Sequence, residues 1–473
     1  MQFNLKTISE LAFAFPDILI GLSLVALCFM RLIMEEKRLE MVLPKLAILA
    51  SGSCFVITLL YGSFGREFDT ALFIYSGSLS AMKSVLFGIM TLAFTILNYT
   101  KAYKSFDSVS YILVFGLINS IVICIAANNF LSLIVGLELY SFSTCFFLMT
   151  NPDDENARKT ASRFILMSSV MTATLLFGTS LYYSQFGTMS FLKISLDSSL
   201  ASVVGTVLVL CGLLFKLGIV PFHSWMIDVY ESGRLAFVMF LETVWKFFMV
   251  FIFIKVFLVI ITGESVHYQS VLAVLATASM LLGGLMPIFQ ANIKKFLAYA
   301  SVGHLGFVLT VFAVTNNMLS TSMAMTYLTM YCLPTICLFS TLMIIGMKQP
   351  ITRFKDLVGL IYKSPIMGFG VVLPMFAMIG LPPFPSFLAK LNMIKLLVSS
   401  QNYTLLAVSI IYSVLSLFYV TKCTRYLFRR TRSEMNVTIK SNSVILVQLV
   451  SMWATLFLYP SIERWFMLIV GGI

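Results

Sequence analysis

The stretch FKLGIVPFHSW, residues 215–225, decides the fold. It sets Lys216 and Pro221 inside a run, 201–232, that is otherwise apolar and long enough to cross a bilayer. A proline removes one helical hydrogen bond and its ring clashes with the preceding turn. In hydrocarbon the freed carbonyl must be satisfied by protein or water. The segment therefore reads as a broken helix inside a bundle of membrane helices. A second stretch, GLPPFPSFLAK (380–390), carries the same elements in the opposite order, with Pro382 and Pro383 ahead of Lys390. It lies in the run 365–399, which is also over-long for a single span and is expected to be broken.

The rest of the chain has the same character. Of 473 residues, 59% are hydrophobic and only 11% charged, against about 25% charged in a soluble globular protein. This excludes a disordered chain, a secreted disulfide scaffold and an ordinary soluble enzyme. Apolar runs recur near 16–34, 41–62, 78–99, 108–127, 129–150, 160–184, 201–232, 236–261, 270–290, 297–315, 319–346, 365–399, 404–424 and 443–468. The expected fold is an all-α polytopic membrane protein of about 14 transmembrane helices. The eight cysteines form no CxxC pair and read as small apolar residues within helices.

Basic residues orient this count. Of the 32 Lys and Arg, about 21 fall in odd-numbered loops, and about four in even-numbered loops and the termini. A miscounted helix would have mixed the two sets. Odd loops are expected on the cytoplasmic (or matrix) side and both termini on the opposite, periplasmic side. The net charge of +12 thus reflects membrane topology, and no nucleic-acid partner is expected.

A few charges fit no loop. Arg31 and Lys83 lie near helix ends, where their amphipathic stems can snorkel to the interface. Lys255 and Lys395 are ambiguous. Glu138, Lys216, Glu242, Lys246 and Lys390 lie deep in their segments. A charge at mid-bilayer costs roughly 2.5–3.5 kcal/mol on insertion scales, and such residues mark ion or proton paths. Burial disfavours the charged form of an amine or a carboxylate, and a neighbouring opposite charge restores it. A line of buried Glu and Lys is then a chain of coupled electrostatic switches. No ATP-binding loop, redox-cofactor motif or metal cluster is present, so the energy must come from elsewhere.

The lysine-then-proline and proline-then-lysine segments are the seventh and twelfth spans and run through the membrane in opposite directions. That is the pattern of two inverted five-helix repeats, 108–261 and 270–424. Flanking helices occupy 1–107 and 425–473, within a single transmembrane domain, 1–473.

Three stretches carry a family resemblance. KLGIVPFHSWMIDVYES (216–232) resembles the K-x-x-x-x-P-F-H-x-W-x-x-D-V-Y-E signature of the antiporter-like membrane subunits of respiratory complex I, the NADH:quinone oxidoreductase. NIKKFLAYASVGHLGF (292–307) and GLPPFPSFLAK (380–390) resemble two further stretches of that family, and the opening FPDILIGLSLV is similar to the start of its subunit N type. The chain departs from the family where Ser232-Gly233-Arg234 replaces a G-A-P run and where Pro385-Ser386 replaces a common glycine. The resemblance implies that Glu138 pairs with Lys216, that Lys246 is a connecting lysine, that Lys390 is the terminal lysine, and that His304 is a polar link between the half-channels. His223, beside the break, reads as a helix-end residue. The resemblance also implies hetero-oligomeric assembly with other complex I membrane subunits and with lipid. NADH, flavin, iron–sulfur clusters and quinone would belong to those partners, with no cofactor in this chain.

The expectation is a proton-translocating subunit in a bacterial inner membrane, or an organellar one, that couples quinone reduction elsewhere in the complex to H⁺ transport. Two alternatives stand beside it. One is a subunit of a multisubunit Na⁺(cation)/H⁺ antiporter, and the other is a non-pumping structural subunit.

Overall fold

The computed structural model describes residues 5–61, 68–99, 106–150, 154–191, 199–260, 266–315, 318–347, 351–430 and 466. Among them the chain is helical almost throughout, with 12 helices long and apolar enough to span a membrane. It is a multi-pass integral membrane protein. The fourteenth expected span, 443–468, lies outside the described residues except for Phe466, which is helical and buried.

The chain divides into two compact units. The first comprises Met1–Lys216, Phe248–Glu264 and Leu468–Ile473, and the second Leu217–Phe247 and Ser265–Met467.

In the first unit α1 (Leu5–Ile33), α2 (Glu36–Tyr61) and α3 (Gly77–Tyr99) precede α4 (Ser108–Ala126), α5 (Phe130–Leu148), α6 (Glu155–Phe186) and α7 (Leu200–Leu217). α1 and α6 begin earlier than their apolar runs, so Arg158, Lys159 and Arg163 lie on the first turns of α6 rather than in a loop. Asp154 caps α6 by accepting from the Ala157 amide. Small residues let helices approach closely, as membrane interfaces require. A Cβ on Gly136 would stand 3.0 Å from the Ser120 carbonyl of α4 and collide with Cys124 Sγ, and Gly178 of α6 abuts the Gly205 carbonyl of α7. A short hairpin, β1 (Phe68–Asp69) with β2 (Ile74–Tyr75), covers the tight α4–α5 turn. Asn128 and Asn129 donate to the Thr70 and Ala71 carbonyls at 2.9 and 3.0 Å. This satisfies hairpin carbonyls that have no ladder partner.

The second unit starts just past Lys216. Gly218 takes the left-handed conformation (φ 75°) and the peptide before Pro221 is cis. Helix α8 (Ser224–Ser232) resumes after the break, with His223 at its N-cap position. α9 (Leu235–Phe240) passes through a π-helical turn, Leu241–Trp245, into α10 (Lys246–Ile260), which continues into the first unit. α11 (Val266–Phe289), α12 (Ile293–Phe312) and α13 (Met318–Gly346) follow, then α14 (Leu360–Lys363), α15 (Pro365–Ile379), α16 (Pro385–Ser399) and α17 (Tyr403–Phe428). The run 365–399 is thus α15 and α16, interrupted at Gly380 (φ 75°) and at a cis Pro382–Pro383 bond. Both expected breaks are present. The apolar window of α13 is entirely buried. α11 and α12 pack so closely at Gly283, Gly303 and Gly306 that a Cβ on Gly283 would overlap the Gly303 backbone. Glu231 of α8 pairs with Lys295 of α12 at 2.8 Å, and Asn292 caps α12. The acidic end of the first family stretch and the start of the second therefore serve to dock α8 on α12.

Candidate functional sites

In the first unit Lys216 occupies the last turn of α7 and is buried. Its Nζ lies 3.8 Å from Glu138 Oε1 of α5. It donates to Ser141 Oγ at 2.5 Å, to Ser168 Oγ at 2.8 Å and more weakly to the Leu137 carbonyl at 3.4 Å. The Tyr140 ring lies 5.9 Å from the ammonium. Glu138 accepts from the Thr172 hydroxyl, and its side chain keeps 25% of its exposure. The lysine is thus solvated by hydroxyls, with the carboxylate just beyond direct hydrogen-bond reach. Glu138 and Ser141 stand three apart on α5, and Ser168 and Thr172 four apart on α6, so each pair shares a helix face. That spacing was a readable signal for the three hydroxyl residues.

In the second unit the π-helical turn carries Glu242, which pairs with Lys246 one turn on at 2.5 Å. Such turns recur at functional sites. Tyr230 of α8 donates to Glu242 Oε2 at 2.6 Å, Ser301 of α12 donates to it at 3.0 Å, and Tyr331 of α13 donates to Oε1. Lys246 donates to Ser301 in turn. Four side chains from four elements converge on one buried carboxylate, the arrangement a buried charge needs. Glu242 is the centre of this network, a role the family motifs did not assign. His304 Nδ1 bonds the Tyr327 hydroxyl at 2.7 Å, and its ring lies 4.4 Å from that of Tyr331.

Lys390 is buried on α16, and its Nζ donates to the Ile379 carbonyl at 3.2 Å, at the end of α15. The rings of Phe307 and Tyr412 lie 5.4 and 5.2 Å from it. Among the described residues it has no carboxylate partner. The mirrored order of lysine and proline now has a physical meaning. In one segment the lysine sits on the last turn before the break, and in the other it reaches back across the break. The Lys390 ammonium thereby meets the carbonyl end of α15, where the macrodipole favours a cation by roughly 0.3–1 kcal/mol, whereas the Lys216 ammonium turns away from α7 to the Leu137 carbonyl and the hydroxyls of α5 and α6.

One expectation is overturned. Lys83 does not snorkel: it is 2% exposed and forms an ion pair with Asp17 of α1 at 2.5 Å. Its place within two turns of the start of α3 suggested an interface, but the carboxylate 66 residues away draws it inward. Lys255 is held by the Ile125 and Ala127 carbonyls at 2.8 and 2.7 Å. Arg31 and Lys395 are exposed. Among the described residues no three His, Cys, Asp or Glu side chains gather as a metal site.

Residues 127–416 match the family described as NADH:quinone oxidoreductase/Mrp antiporter, transmembrane. Subunit N of NADH-quinone oxidoreductase from Nitrosomonas europaea is 30% identical over 401 residues, 81% of either chain. The subunit N of Pelagibacter ubique is 26% identical over 467 residues, 96% of this chain and 97% of the relative. Among solved structures, a chain of respiratory complex I from Thermus thermophilus has a TM-score of 0.79 at 20% identity, covering 94% of this chain and 96% of that one. A chain of the Mrp complex from Dietzia sp. has a TM-score of 0.84 at 18% identity, covering 98% and 97%. The fold, the stretches around both breaks and the curated relatives agree: this chain belongs to the NADH:quinone oxidoreductase/Mrp antiporter transmembrane family, and its curated relatives are of the subunit N type.

Proposed function

We propose that this chain is a proton-translocating membrane subunit of an NADH:quinone oxidoreductase, assembled with other membrane subunits of that complex. Quinone reduction in the partners supplies the energy, and this chain supplies ionisable groups in a dry interior. The observation that carries the reading is Lys216, a buried ammonium at a helix break with Glu138 3.8 Å away and three oxygen acceptors. Such a group can exchange a proton whenever the charge beside it changes, because its hydroxyl ligands can turn to accept or to donate. Proton release from the Lys216 ammonium would be favoured when Glu138 is neutralised or drawn away, and uptake when it returns.

Glu242 and Lys246, with Lys390 and His304, would form the second set of switches, relaying through the Tyr331 and Ser301 hydroxyls. In this reading the helices of 108–261 and 270–424 are inverted repeats, both termini face the periplasm, and uptake is from the opposite side.

The test is proton translocation by the assembled complex in vesicles driven by NADH. Lys216→Met and Glu138→Ala are expected to lower it sharply with the complex still assembled. Normal translocation by both variants would refute the role. The second reading, a subunit of a cation/H⁺ antiporter, is supported by the fold shared with the Mrp complex. Loss of sodium and alkali tolerance on deletion, with NADH-linked quinone reduction intact, would select it.

A further inference from the structure

The second unit carries a cluster of cations at the end of α17 that the proposed function leaves unused. The sequence TKCTRYLFRRTR (421–432) holds five basic residues and no acid. Arg425, Arg429 and Arg430 are exposed there. The short helix α14 brings two more groups to the same place. The Gly359 amide just before it donates to the Tyr426 carbonyl of α17 at 3.2 Å. The Arg430 guanidinium lies over the Tyr362 ring, 5.2 Å from its centre. Lys363 follows Tyr362; it is half-buried, and its Nζ is shielded from water and meets no acceptor. Among the described residues none of Lys363, Arg425, Arg429 and Arg430 forms an ion pair. The acid nearest to α14 in sequence, Asp356, is occupied by the amides of Thr352 and Arg353 at 2.9 and 2.8 Å.

A shielded ammonium without an acceptor is costly, and it points to an ion that completes it. Beside it, the guanidinium resting on Tyr362 keeps its fork of N–H groups for an acceptor, and that fork matches two oxygens of a phosphate. The surface next to these cations is apolar. Ile366 and Phe369 stand three apart on α15 and share a helix face. With Tyr362 they keep 43%, 48% and 52% of their exposure, and Phe428 is exposed beside Arg429. A free anion or an acidic protein segment would satisfy the cations and leave this apolar surface uncovered. An anion that carries hydrocarbon covers both, and basic clusters at the ends of membrane helices attract such lipids.

We propose that Lys363, Arg430 and Tyr362 form a headgroup site for an anionic phospholipid, with its phosphate between the two cations and its acyl chains along Ile366 and Phe369. The four-carbon stem of Lys363 is flexible enough to turn its ammonium to the phosphate. The guanidinium is already placed by the Tyr362 ring. A lipid bound there ties α14 to the end of α17, at the level where α15 enters the hydrocarbon. The site stands whether or not this subunit moves protons.

The test is photo-crosslinking in the purified, assembled complex, with p-benzoylphenylalanine in place of Phe369. The complex is reconstituted into vesicles of phosphatidylcholine with a minor share of phosphatidylglycerol, and the adducts are identified by mass. Phosphatidylglycerol adducts are expected to be enriched over that lipid's share of the vesicle. Arg430→Gln is expected to lower the enrichment about fivefold, as for one cation lost at a membrane surface. Adducts in the ratio of the vesicle lipids, or adducts to a neighbouring subunit, overturn the proposal. So does an equal fall in Arg425→Gln, which would reduce the effect to general surface charge. If Arg430→Gln does not assemble, Lys363→Gln is measured in its place, with a lowered enrichment expected and an unchanged one overturning the site.

Discussion

Glu242 offers the sharpest test of the energetics. Its carboxylate holds Lys246 at 2.5 Å and accepts from Tyr230, Tyr331 and Ser301, all buried. Glu242→Leu leaves the Lys246 ammonium in the interior with only a hydroxyl beside it. Removing one partner of a buried pair costs about 3–5 kcal/mol. For a cooperative unit of roughly 200–250 residues this corresponds to a fall in melting temperature of roughly 6–15 °C. Glu242→Leu/Lys246→Met removes both charges, and such replacements are often close to neutral. What remains is a shortage of acceptors for three hydroxyls, about 1–3 kcal/mol for each that stays unpaired. The double variant should therefore melt above the Glu242→Leu single variant. Removing a second buried side chain would then raise stability. The assay is heat denaturation of the assembled complex in detergent, with loss of this subunit followed by labelling of its buried cysteines, six of the eight. Strict additivity of the two single effects in a double-mutant cycle would show that the charges do not interact and would refute the reasoning.

The remaining predictions concern the first unit. Ser141→Ala and Ser168→Ala each remove one hydrogen bond from the Lys216 ammonium, worth about 1.5–3 kcal/mol for a charged partner. Either should slow NADH-driven proton uptake, and the double variant should approach Lys216→Met; wild-type rates in the double variant would exclude the hydroxyls. Gly136→Ala forces a methyl group into Cys124 Sγ and against the Ser120 carbonyl, an overpacking of about 1–3 kcal/mol. Less assembled subunit is expected, with partial recovery in Gly136→Ala/Cys124→Ala, and immunoblotting of membranes measures both.

The spans, the breaks and the deep lysines were legible because each is a local property: length, apolarity, proline and charge in one window. Lys216 and Lys390 stand out by their chemistry alone. The partners of these charges were less legible. Nothing near Lys83 announces Asp17, since α1 meets α3 only in the folded chain. Glu242 was visible as a deep acid, yet its ligands come from α8, α12 and α13, and no single window contains them. Ser141, Ser168 and Thr172 lay between these cases, since they share helix faces near Glu138 but look like ordinary hydroxyls in an apolar run. The π-helical turn that aims Glu242 has no sequence signature of its own.

The two lysines at the breaks carry a consequence for directionality. The Lys390 ammonium meets the carbonyl end of α15, whereas that of Lys216 meets hydroxyls and a carboxylate, and neither setting by itself distinguishes one face of the membrane from the other. Under the proposed function, stations of this kind are reversible in themselves. The direction of transfer, inward or outward, has to be imposed by which station is connected to water at the moment a neighbouring charge changes.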